Sequence, residues 1–235
     1  MEAKGLRAGG RGGRSGGVAG EVWLREHKPN RDPLSRERIT AAAVELLDAN
    51  GSAALTMRRL AERLDVAPPT LYWHVKTKDD VLDLALDAIF AEVAIPERTA
   101  DWAVDAKTLV IRWHATMVRH PWAPGLLGRP MLGPNVLART EFLQSALERA
   151  GLAKQVLSMA THGLANLTIG SALTESAWHT GPRISQESAS EHVRDKAATY
   201  PTLAANNHLA VMDRAALFEE AVDCFLAGLR TRQHR

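Results

Sequence analysis

The chain has 235 residues, 46% hydrophobic and 24% charged, with a formal net charge of +2 and one cysteine, Cys224. That length buries a real core in one large or two modest domains. The lone cysteine excludes an intramolecular disulfide and a cysteine-based metal site, and beside Val222, Phe225 and Leu226 it is expected as a small core residue. The Gly/Arg-rich start has no apolar signal region, and the long uncharged run 155–174 carries too many polar side chains to face lipid, so a cytoplasmic protein with no membrane contact is expected. Charge is uneven: residues 1–80 hold fourteen basic and eleven acidic side chains, while the remainder is slightly acidic. That asymmetry points the N-terminal third at a polyanion.

Residues 1–34 are expected to be a disordered Gly/Arg-rich arm and linker, with Arg7, Arg11 and Arg14 available to enter a DNA minor groove. From Ser35 the pattern turns helical: Ile39, Ala42, Ala43, Leu46 and Leu47 share one face, Ser35 caps the start and Gly51 supplies a left-handed stop. Thr56 caps a second helix whose Met57, Leu60, Ala61 and Leu64 repeat the spacing. After a short turn, "PPTLYWHV" (68–75) is expected as a third helix, with Pro69 in the first turn where a missing N–H costs least. A helix, a three-residue turn and a second short helix have the dimensions of a helix-turn-helix. The second helix of such a unit lies in the major groove. Leu71 and Val75, four apart, face inward. Tyr72, Trp73 and His74 then point outward, flanked by Arg58, Arg59, Lys76 and Lys78. Tyr72 offers a hydroxyl to a phosphate, and Thr70 a hydroxyl and a methyl to a base edge. Packing of the three rings against later helices is the plainer alternative.

A fourth helix opens at "TKDD" with Leu82, Ala85, Leu86, Ile89 and Val93 inward. Trp102, Ala106, Leu109, Val110, Trp113 and Met117 mark the next. Residues 134–150, 153–178 and 212–232 read as three more, separated by a polar stretch with at most one or two short helices. No period-two strand pattern appears. The fold class expected is all-α, with the helix-turn-helix domain at 35–80 and a helical ligand-binding and dimerisation domain at 81–235.

The run from Ile39 to Leu86, "ITAAAVELLDANGSAALTMRRLAERLDVAPPTLYWHVKTKDDVLDLAL", resembles the DNA-binding domain of the tetracycline-repressor (TetR) family, and "TLYWHVK" is similar to its tetracycline-repressor subgroup. The resemblance implies that Arg58 reads a base edge and that Thr56, Tyr72, His74 and Lys78 hold phosphates. Pro68 stands where that subgroup has a base-reading glutamine and Met57 where it has a threonine, so the operator must differ. The resemblance also implies a homodimer built on 153–178 and 212–232, and a cavity from the helix around Trp102 to His120 and the loop "LLGRP". Trp113 replaces a ligand-stacking phenylalanine and Leu109 an amide. Arg129 and Pro130 are kept. No histidine precedes Gly128 and Ala94 replaces another, which argues against tetracycline–magnesium binding. A small hydrophobic effector is expected instead, lined by Trp102, Leu109, Trp113, Met117, Leu127, Arg129, Pro130, Met131, Asn166 and Thr168, with no metal and no cofactor.

These readings converge on a dimeric, ligand-responsive repressor of a palindromic operator in double-stranded DNA. A ligand-independent DNA-binding protein would use the same helices. An enzyme finds no support, because no Walker loop, nucleophile elbow, zincin motif or dinucleotide fingerprint is present.

Overall fold

The computed structural model describes residues 19, 20, 23, 34–180, 185–207 and 213–232; the arm arginines Arg7, Arg11 and Arg14 lie outside them. Among the described residues the chain is all helical. In order the helices are α1 (Arg36–Ala54), α2 (Met57–Leu64), α3 (Pro68–Leu71), α4 (Lys78–Ala91), α5 (Trp102–Arg119), α6 (Pro134–Arg149), α7 (Lys154–Thr180), α8 (Gln186–Asp195), α9 (Pro201–Ala205) and α10 (Arg214–Arg230). None of the described helices is long and apolar enough to cross a membrane.

Local chemistry sets the starts. The side chains of Ser35, Thr56, Thr77 and Asp101 each accept a backbone N–H from the first turn of α1, α2, α4 and α5, satisfying donors that have no partner inside a helix. Gly51 adopts φ +71°, but it kinks α1 rather than ending it, and helical bonding resumes to Ala54. Only a glycine takes that conformation without cost.

Two apolar clusters make the core. One joins Ile39, Ala43 and Leu47 of α1 to Leu60, Leu71, Val75 and Leu86, and reaches Met117 and Trp122. The other gathers Val93, Trp102, Leu109, Phe142, Leu147, Leu164, Phe218 and Val222. Helix α4 serves both, since Leu86 lies in the first and Val93 just past its end lies in the second. Each fully buried leucine contributes about 1.5–3 kcal/mol relative to exposure.

On α10 the buried face is Phe218, Val222, Leu226 and Leu229. Cys224 falls between these positions and is exposed, which corrects its expected place in the core. Helices α7 and α10 approach closely at Gly163, where an added Cβ would lie 2.5 Å from the Phe225 ring.

Candidate functional site

The turn between α2 and α3 is built by Asp65, at φ 55°, and closed by the Val66 N–H donating to the Ala61 carbonyl at 3.1 Å. A short acidic side chain tolerates this left-handed position better than most. Pro68 and Pro69 occupy the first two positions of α3, where no internal acceptor is lost. The helix is shorter than the sequence pattern suggests. After Leu71 the chain tightens, with Trp73 N–H donating to Thr70 and His74 N–H to Leu71, so 72–74 form a turn rather than a second helical turn.

Leu71 and Val75, at 0% and 1% exposure, clamp this element to the core. Tyr72 and Trp73 therefore face outward, at 45% and 82% exposure, while Thr70 and His74 are half-buried. Thr56, Arg58, Pro68 and Pro69 are exposed. The Arg58 Nε donates to Glu62 Oε1 at 2.9 Å, one turn along α2, with both side chains well exposed. Such a pair contributes about 0.3–0.5 kcal/mol, weak enough to be exchanged for another acceptor. Lys78 is half-buried and its ammonium donates to the Ser52 carbonyl at 2.9 Å, leaving two N–H donors for another acceptor.

Helix α4 links this surface to the rest of the molecule through a row of carboxylates, Asp79, Asp83 and Asp87, spaced four apart on one face. The Arg129 guanidinium spans Asp79 at 2.7 Å and Asp83 at 3.0 Å. Asp83 also accepts from the Gly20 N–H. Burial raises its carboxyl above the ordinary value, against the Gly20 N–H and Arg129. Asp87 accepts from the backbone N–H of Asn135 at 2.9 Å and of Val136 at 3.0 Å, and from Asn135 Nδ2 at 2.8 Å. It thus caps α6 from another helix. The spacing in "DDVLDLALD" was the available signal, but the partners lie some fifty residues away.

Behind this junction lies a cavity of about 350 Å³, walled by the end of α4 and by α5, the loop before α6, α6 and α7. Of the residues expected around it, Leu109, Trp113, Leu127, Arg129, Met131 and Asn166 line it. Three others are packed elsewhere. Trp102 is buried in the second core cluster beneath the Arg230 guanidinium. Met117 is fully buried in the first cluster. Thr168 is fully buried, and its hydroxyl donates to the Leu164 carbonyl. Pro130 lines a separate small hollow between α4 and the loop, shared with Trp23. Sequence reading missed Phe90, Val93, Arg139, Thr140 and His162, which also line the cavity. Among the described residues no three His, Cys, Asp or Glu side chains are arranged to hold a metal ion.

A second bridge ties α1 and the end of α4 to the end of α5. His120, past the end of α5, meets Asp48 of α1 at 2.7 Å and Glu92 beside α4 at 3.3 Å, while Trp122 Nε1 donates to Asp48 at 2.6 Å.

This geometry has close counterparts. The profile described as "Bacterial regulatory proteins, tetR family" matches residues 39–85, and "Tetracyclin repressor-like, C-terminal domain" matches residues 95–233. An HTH-type transcriptional regulator of Saccharopolyspora erythraea is 41% identical over 220 residues, covering 92% of this chain and 93% of that protein. The HTH-type transcriptional repressor DrrR1 of Streptomyces coeruleorubidus is 29% identical over 160 residues, 66% of this chain and 59% of that protein. The TetR family protein ActR of Streptomyces coelicolor, solved in complex with actinorhodin, superposes with a TM-score of 0.79 at 27% identity, over 87% of this chain and 100% of that one. With its helix-turn-helix, its helical C-terminal domain and relatives along nearly its whole length, the chain belongs to the tetracycline-repressor (TetR) family of transcriptional regulators.

Proposed function

We propose that the protein is a homodimeric repressor that holds a palindromic operator through α2 and α3, and leaves it when a small hydrophobic molecule fills the cavity beside Trp113. The observation that carries this reading is the position of α4. Its first turns stand against the helix-turn-helix, its acidic row holds Arg129 and the start of α6, and its end forms cavity wall. A ligand with different affinity for two positions of α4 shifts operator affinity, and the operator shifts ligand affinity by the same factor.

In this reading Arg58 reads a base edge, Thr56, Tyr72, His74 and Lys78 hold phosphates, and Pro68, Pro69, Thr70 and Trp73 shape the contact. Arg7, Arg11 and Arg14 supply further backbone contacts. A dimer on α7 and α10 is supported by large apolar side chains that remain exposed there, Met159, Leu173 and Leu217, and it would present two reading elements about 34–36 Å apart. That ActR has been solved in complex with actinorhodin supports a small-molecule effector for this chain too. Residues 35–80 and 81–235 then act as DNA-binding and effector-binding units in the cytoplasm.

The test is a footprint of the protein on the region upstream of its own gene, repeated with aromatic natural products added. Protection of two half-sites one helical turn apart, lost on adding a compound that binds, is the expected result. Protection that persists with the compound bound rejects the release step, and a footprint without two-fold symmetry rejects the dimer.

A further inference from the structure

The cavity wall contains apolar side chains, hydroxyls, amides, His162 and two arginines, and no carboxylate among its described residues. The arginines differ. Arg129 is neutralised by Asp79 and Asp83. Among the described residues Arg139 donates only to neutral oxygens: Nε to the Val93 carbonyl at 2.9 Å, one terminal nitrogen to Asn135 O and Oδ1, and the other to the Ala91 carbonyl at 3.0 Å. Four of the five guanidinium N–H groups are thereby used, and one remains. Asp87 acts on Arg139 through space, but its oxygens already accept three bonds from the start of α6.

We infer that the cavity selects apolar molecules bearing an anionic group, which the Arg139 guanidinium attracts, and rejects cations. This rests on the cavity being the effector site, and it adds a route for the signal. Arg139 holds the Ala91 carbonyl, the last of α4, and the Val93 carbonyl just beyond it, at the negative end of that helix. An anion drawn to the guanidinium competes with those carbonyls, so the charged group of the ligand acts directly on the helix that joins the cavity to the reading element. Neither feature was visible in the sequence, where Arg139 reads as one more charge on an amphipathic helix.

The test uses the full chain without DNA, titrated calorimetrically with three matched probes: an anthracene carboxylate, its carboxamide and its aminomethyl analogue. The carboxylate is expected to bind about tenfold or more tightly than the ammonium compound, with the amide between. Arg139→Met should erase that order, and Arg139→Lys, which keeps the charge, should preserve it. Equal or tighter binding of the ammonium probe, an order that survives in Arg139→Met, or no binding of any probe overturns the assignment. If Arg139→Met fails to fold, the wild-type order and the Arg139→Lys titration decide, and loss of the order in Arg139→Lys overturns the assignment. Because no operator is present, failure here leaves DNA recognition standing, and failure of operator release leaves the binding preference standing.

Discussion

Gly133 offers the sharpest check on how α4 holds α6. Its backbone, φ −66° and ψ 146°, is one that any residue adopts, so a substitution there is free of backbone strain. The constraint is space: an added Cβ would lie 2.1 Å from Asp87 Oδ1, 2.3 Å from its Cγ and 2.6 Å from its Cβ. In Gly133→Ala the Asp87 side chain must swing away, giving up its three bonds to Asn135 and Val136. Losing a charged acceptor from a helix start costs about 1.5–3 kcal/mol and the displaced packing about 1–3 kcal/mol. Together these give roughly 3–5 kcal/mol, or a fall in Tm of roughly 6–20 °C for a chain of this size. Thermal unfolding followed by circular dichroism measures it, with Asp87→Ala and the double variant completing a cycle. Because the glycine acts through Asp87, the second change should cost about 1–2 kcal/mol less in the presence of the first than alone. Costs that add within about 0.5 kcal/mol, or a Gly133→Ala protein that melts like the wild type, would refute the account.

Arg129→Met leaves Asp83 buried without its cation and should cost about 3 kcal/mol near neutral pH. Asp83 already stands above its ordinary value of 3.8 because of burial, and losing Arg129 lifts it further. The deficit therefore shrinks as pH falls from the variant's value to the wild type's own raised value, the range in which only the folded variant holds the proton; a deficit constant with pH in urea titrations contradicts this. Gly163→Ala should lose about 1–3 kcal/mol by pressing on Phe225, with Phe225→Leu restoring most of it; unchanged stability refutes the close approach of α7 and α10. Arg58→Ala should weaken specific binding by about 1–3 kcal/mol and relax one operator position. Undiminished discrimination between operator and scrambled duplex in a mobility-shift titration removes Arg58 from base reading.

The all-helical fold and the family were legible in the residues because their signals are local. A helical face recurs every three to four positions, a cap lies within three residues of the donor it satisfies, and the motifs around Arg58 and Tyr72 stand in unbroken order. By the same logic Leu71 and Val75 inward and Trp73 outward followed from spacing. Tertiary structure decided what each buried face meets. Trp102, Met117 and Thr168 sit on inward faces, yet their neighbours are protein and not cavity, a distinction that periodicity does not encode. The end of α3 at Leu71, where the N–H groups of Trp73 and His74 reach back three residues, was likewise not written in the helical spacing of Leu71 and Val75. The roles of Asp79, Asp83, Asp87 and Arg139 were hidden because the partner of a charge is chosen by three-dimensional proximity. Those partners, the Arg129 guanidinium, the start of α6 and the end of α4, lie some fifty residues away along the chain.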